Sequence, residues 1–125
     1  MSNPNIVNVT SILGTTTYLT PANTTANTLL SNAASSGLVY KINQIVCANV
    51  NGSSAVNATV AINNAAAGAG TNFPVISTVS VPASASVIAV DKTTAIYLME
   101  NSSIVVTSGT SSGITYTLSY ESIAA

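Results

Sequence analysis

Outside the tyrosines, six side chains carry all the titratable chemistry. They are the carboxylates Asp91, Glu100 and Glu121, the amines Lys41 and Lys92, and the thiol Cys47. Two carboxylates held about 5–9 Å apart can cleave a glycosidic bond. Here the acids come with no partner groups, and the aromatics that line such clefts are scarce: one Phe, no Trp and five Tyr. Histidine is absent, so neither a Ser-His-Asp triad nor a Cys-His pair can form. No glycine-rich loop precedes a Lys-Ser or Lys-Thr pair, which leaves phosphate cradling without a motif. The lone cysteine offers neither an internal disulfide nor a pair of metal ligands. Within Ile45-Val46-Cys47-Ala48 it reads as a small buried hydrophobe. The expectation is a protein that is not an enzyme, with no catalytic, metal or cofactor site.

The pair Asp91-Lys92 follows the apolar run Val87–Val90 and supports two readings. One is a solvated strand end with a weak ion pair, worth about 0–1 kcal/mol when exposed. The other is a salt bridge between subunits, because charges this rare can set register at a contact. Lys41 sits between Tyr40 and Ile42, where its stem covers apolar surface and its amine reaches water.

Charge is scarce throughout. Charged residues make up 4% of the chain, against roughly 25% in ordinary domains. Ser, Thr and Asn fill 49 of the 125 positions, and the formal net charge is -1. Small domains ordinarily stay soluble and separate through mixed surface charge. A surface of hydroxyls, amides and small apolar groups suits a protein whose faces are covered by neighbours. Two lysines cannot supply the clustered cations that nucleic acid requires. No segment has the apolar length of a membrane span. Met-Ser-Asn-Pro-Asn lacks the basic and apolar regions of a secretory signal, so synthesis in a cytoplasm is expected.

Period-two alternation and Val, Ile, Thr and Tyr enrichment predict strands almost throughout. They fall at Ile6–Ile12, Thr15–Thr20, Leu38–Val50, Val56–Ile62, Pro74–Val81, Ser86–Val90, Ala95–Met99, Ser103–Thr107 and Ile114–Glu121. In the last, Ile114, Tyr116, Leu118 and Tyr120 share a core face, and Thr115, Thr117 and Ser119 share a hydroxyl face. Around Tyr97 and Met99, the alternation predicts a strand covered on both sides. Asn51-Gly52-Ser53-Ser54 predicts a tight hairpin with positive-φ residues. Ser108–Gly113 predicts a longer hairpin loop, and Asn63–Thr71 an exposed loop. Pro21–Ala34, with Thr20 as N-cap, predicts either a helix or a loop with one turn. The fold class is therefore all-β, an antiparallel β-sandwich or jelly roll of about eight strands. Residues 1–13 form an N-terminal arm or edge strand, and residues 14–125 a single sandwich domain.

The stretch Tyr40–Ile62 carries Val-Cys-x-Asn, a short Asn/Ser/Gly turn and an alternating Thr/Val strand. Later come Val81-Pro82, Asp91-Lys92, the segment Ala95–Val106 and the closing strand Ile114–Glu121. This arrangement resembles a module of tailed-bacteriophage virion proteins, with an ending similar to those of marine and cyanobacterial phages. The resemblance spans roughly residues 38–123 and rests on structural motifs. It implies a β-sandwich virion component, located in the particle, with the major capsid protein or other virion proteins as partners. A capsid decoration or cement protein is the leading expectation, and a neck, tail or fibre component is the alternative. The expected interface residues are Ile6, Val7, Val9 and Ile12 on the arm, which would add as a strand to a neighbour, together with Asp91 and Lys92. A homo-oligomer is expected, a trimer from the geometry of local threefold axes, with no nucleic-acid or membrane partner.

Overall fold

The computed structural model describes residues 4–124. Two antiparallel sheets pack face to face. Their strands are β1 (Ser11–Leu19), β2 (Asn27–Asn32), β3 (Leu38–Asn49), β4 (Val56–Asn63), β5 (Asn72–Val81), β6 (Ser86–Val90), β7 (Ile96–Leu98), β8 (Ser102–Ser108) and β9 (Ile114–Ala124). The five-stranded sheet runs β1-β9-β3-β6, with the short β7 also paired to β3; the four-stranded sheet runs β2-β8-β4-β5. With β7 set aside, the first strand pairs with the last, the second with the second-last, and so on inward: β1 with β9, β2 with β8, β3 with β6, β4 with β5. That is a long hairpin rolled across two sheets, the jelly roll expected from the sequence.

Alternation decides what fills the space between the sheets. Ile42, Ile45 and Cys47 of β3, Tyr116 and Leu118 of β9, and Val60, Ile104 and Val106 of the opposite sheet are fully buried and share one cluster. Burial pushes the Cys47 thiol up to about 12, which suits a packing role. Tyr116 crosses the core: its hydroxyl donates to the Thr107 carbonyl and accepts from the Thr59 N–H at 3.3 Å, tying β9 to the opposite sheet. Tyr40 and Tyr120 close one end with ring centroids 4.9 Å apart.

Several local expectations need correction. Residues 6–9 do not form a strand. The Asn5 side chain accepts from the Val7 N–H at 3.0 Å and its carbonyl from Asn8 at 3.1 Å, so the chain turns there and β1 begins only at Ser11. The proposed boundary at residue 13 thus falls within β1; residues 1–3 of the arm lie outside the described residues. Residues 21–34 hold no helix: Leu29 and Leu30 enter the core from β2, and tertiary packing overrides the local pattern. The only helical turn among the described residues is the 3-10 turn Lys92–Thr94.

The turns at Asn51–Ser54 and Ser108–Gly113 are not hairpins either. Each carries the chain from one sheet to the other. Gly52 does not take a positive φ; Asn51 instead organises its corner by accepting from the Ser53 and Ser54 N–H groups. Buried amides fix such corners because one Asn both donates and accepts. Asn49 donates to Ser54 and Val81 carbonyls at 3.0 and 2.9 Å, and Asn32 donates to Leu38 and Leu98 carbonyls at 3.0 and 3.1 Å.

Candidate functional site

Residues directly opposite one another on paired strands point to the same side of a sheet. On the outer side of the five-stranded sheet this gives four successive rows. Ile12, Ile123 and Val39 form the first; Gly14, Glu121, Lys41 and Tyr97 the second; Thr16, Ser119 and Gln44 the third; Tyr18, Thr117, Val46 and Ile88 the fourth. Thr16 and Ser119 share a hydroxyl–hydroxyl bond of 3.1 Å within their row.

The segment 4–9 lies at the first row. Pro4 and Ile6 join Val39, Tyr97 and Met99 around an apolar cavity of about 360 Å³. Val39 and Ile123 are buried although they point away from the core cluster. The fourth row stays open, with Tyr18 74% and Ile88 57% exposed. The expectation that the Tyr97 strand is covered on both sides is therefore corrected. Leu98 faces the core, whereas Tyr97 and Met99 remain exposed.

Between the second and fourth rows the sheet has a gap. β7 pairs with β3 as far as Ile42 and β6 starts at Ile45, with a register shift between Ile42 and Gln44 on the β9 side. The chain between β6 and β7 fills the gap. Asp91 caps it, accepting from Thr93 N–H at 2.9 Å, Thr94 N–H at 3.2 Å and the Thr93 hydroxyl at 2.6 Å. These bonds, the Thr93 hydroxyl first, hold the carboxyl below its ordinary value of 3.8. Asn43, Gln44, Asp91, Lys92, Thr93 and Ser119 line a concavity of about 540 Å³, walled as much by their carbon stems as by their polar ends.

The opposite sheet presents a different outer side. Ala61, Asn63, Ser103 and Val105 point outward there, and all four are buried. The cover is the loop 64–71. Ser103 donates to Ala65 O at 2.7 Å, Ser31 donates to Ala66 O, and Asn63 donates to Gly68 and Gly70 carbonyls at 3.2 Å each. Gly68, at φ +74, brings the loop so close that a Cβ would stand 2.9 Å from Thr28 Oγ1 and 3.4 Å from a Val105 methyl. The loop is exposed along much of its length, as expected at Asn64, Ala67 and 69–71, but it is also pinned to the sheet as a cover.

Of the residues anticipated as an interface, Ile6, Ile12, Asp91 and Lys92 fall on one sheet side. Ile6 lines the apolar cavity, Val7 is 91% exposed, Val9 is half-buried, and Ile12 stands exposed opposite Ile123. Asp91 and Lys92 lie farther along the same side, at the concavity. Asp91 is the one carboxylate lining it; Glu121 lies in the second row beside Lys41, and Glu100 is half-buried at the β7–β8 corner. Among the described residues, no three of Cys, Asp and Glu gather where a metal ion could be held, and no helix is long and apolar enough to cross a membrane.

Sequence reasoning missed Tyr18, Val46 and Ile88. The signal was available in alternation alone: Tyr18 falls out of phase with Leu19, and Val46 lies between the inward Ile45 and Cys47. No protein-family model, curated protein or solved structure matches the chain.

Proposed function

We propose that the chain is a bacteriophage virion structural protein, a capsid decoration or cement protein that stabilises the head lattice. The carrying observation is the open outer side of the five-stranded sheet. Of ten large exposed hydrophobics among the described residues, Ile12, Tyr18, Ile88 and Tyr97 point outward from it. They stand at the strand edges of one face, with Thr16, Ser119 and Gln44 between them, and the described chain leaves all four exposed. With five charged side chains in 125 residues, little repulsion opposes close packing of copies. The resemblance of residues 38–123 to phage virion modules points the same way. A jelly roll is compatible with this role and does not by itself imply it. The major capsid protein is the partner under this reading, and the protein itself is a homo-oligomer.

A neck, tail or fibre component is the second reading. It is favoured by the concavity around Asp91, a recess that a host-contact tip could use. Intact-protein quantification in purified particles separates the two. On the order of hundreds of copies is the expected result for a lattice-covering protein. A few to a few tens would move the chain to the neck, tail or fibres, and none would overturn the virion assignment.

A further inference from the structure

We infer that β1 is a docking edge for a second copy of this chain, the two β1 strands pairing antiparallel about a twofold axis at Thr15. Sheet edges expose unpaired N–H and C=O groups, and folded proteins blunt them with charges, prolines, bulges or short strands. Three edges of this sandwich are blunted. β5 carries Pro74 and a positive φ at Thr78, and its pairing with β4 shifts register twice. β2 is six residues long with a shift between Thr28 and Leu30. The β6/β7 edge is split into five and three residues by the Lys92–Thr94 turn.

β1 has none of these devices. Its nine residues pair one-to-one with β9 without a register shift, and they contain no charge and no proline. Among the described residues it has no second strand neighbour. Gly14 meets nothing within 4 Å of where its Cβ would stand, so its own fold gives no packing reason for glycine there. Close approach of another backbone would give one.

The occupant follows from the order of residues along β1. Ile12, Leu13 and Tyr18 are 55%, 62% and 74% exposed, three of the ten large exposed hydrophobics. Antiparallel pairing centred on Thr15 sets Ile12 opposite Tyr18 of the second copy, twice by symmetry. The same register sets Leu13 opposite Thr17 and Gly14 opposite Thr16. Ile12 and Tyr18 both point to the outer side, so these two apolar side chains meet each other, while Leu13 meets Thr17. β-branched and aromatic pairs of this kind stabilise cross-strand contacts. The absence of charge, which would repel at a self-pairing edge, becomes a match when the partner is identical. The result is a continuous sheet crossing an isologous interface.

The inference rests on reading the chain as an assembly part, yet it is tested on the isolated protein. Sedimentation of the wild-type chain should show a dimer; a monomer up to the solubility limit, or a trimer, would overturn the inference. Thr15→Cys should form an intermolecular disulfide on oxidation, because the residue meets itself on the axis at bridging distance. The wild-type chain, whose single Cys47 is buried, should not. Failure of Thr15→Cys to cross-link while dimeric would overturn the register. Ile12→Lys should weaken dimerisation roughly tenfold or more with unchanged circular dichroism. Adding Tyr18→Glu places opposite charges across the axis and should restore it; a double variant no stronger than Ile12→Lys would refute the pairing. Particle copy number speaks to the virion reading separately. A dimer in solution that is absent from particles would retire that reading alone.

Discussion

The outer sides of the two sheets start from similar residues and end differently. Val105 and Val46 are both valines pointing away from the core, one on each sheet. Val105 is 4% exposed beneath the loop 64–71, whereas Val46 is only partly buried between Thr117 and Ile88. The four-stranded sheet carries a cover over Ala61, Asn63, Ser103 and Val105, fixed by buried Asn63 and by the close approach at Gly68, while Thr59 and Thr107 farther along stay half-buried. The five-stranded sheet has a partial cover at one end, where Pro4 and Ile6 meet Val39, and is open beyond. Under the proposed reading, the side left with exposed hydrophobics is the one that meets neighbours. That contrast is a stronger sign of assembly than low charge alone.

The largest effect tests which side of β9 is inward. Leu118 is fully buried and its neighbour Ser119 faces outward. Leu118→Asp should unfold the protein by circular dichroism because it buries an unpaired charge. Ser119→Asp should leave the fold intact. Equal tolerance of both would dissolve the distinction between the two sides.

Next in size is the cover itself. The Asn63 amide donates to Gly68, Gly70 and Asn72 and accepts from Ala65 and Gly70. Asn63→Ala should cost about 2–4 kcal/mol in urea denaturation, since several buried groups lose their partner. It should also raise hydrogen exchange across residues 64–71. A cost below about 0.5 kcal/mol would mean the loop covers nothing that matters.

The matched valines give a smaller and sharper comparison. Val105→Ala should cost about 1.5 kcal/mol, two buried methyl groups' worth. Val46→Ala should stay within about 0.5 kcal/mol in the isolated protein. Equal costs would show that both sides are covered alike.

The smallest effect lies at the concavity around Asp91. Hydrogen bonds from Thr93 and Thr94 depress the Asp91 carboxyl below 3.8. A depressed carboxylate contributes order that is present above its unfolded value and lost as pH falls through its folded value. Amide resonances of Thr93 and Thr94 should therefore shift below about pH 4, with the rest of the fold unchanged, because the group is solvent-exposed.

Much of the fold was legible in alternation. β3, β4, β6 and β9 begin where the sequence pattern places them, since each buries alternate side chains against the other sheet. β2 was hidden. Asn27–Asn32 lies after a Pro-Ala-Asn-Thr-Thr stretch, and only the presence of β8 makes it a strand. The turns were legible as turns but not as crossings, because an Asn-Gly corner looks the same whether it returns along one sheet or passes to the other. Asn63–Thr71 looked unstructured for a related reason. Its alanines and glycines form little structure alone, and their closeness to Ser103, Ser31 and Val105 is set by partners 30 or more residues away. The candidate surface was half legible: the residues Ile6, Ile12, Asp91 and Lys92 stood out, while the Tyr18–Ile88 row needed strand register to assemble it.

Oxidative footprinting of the outer face, comparing free protein with purified particles, tests the central claim most directly. Tyr18, Tyr97 and Met99 are exposed on or beside the five-stranded sheet, and Phe73 is exposed on β5 of the other. The account predicts that the first three become protected in particles while Phe73 stays reactive. Unchanged reactivity of Tyr18, Tyr97 and Met99 in particles would contradict it.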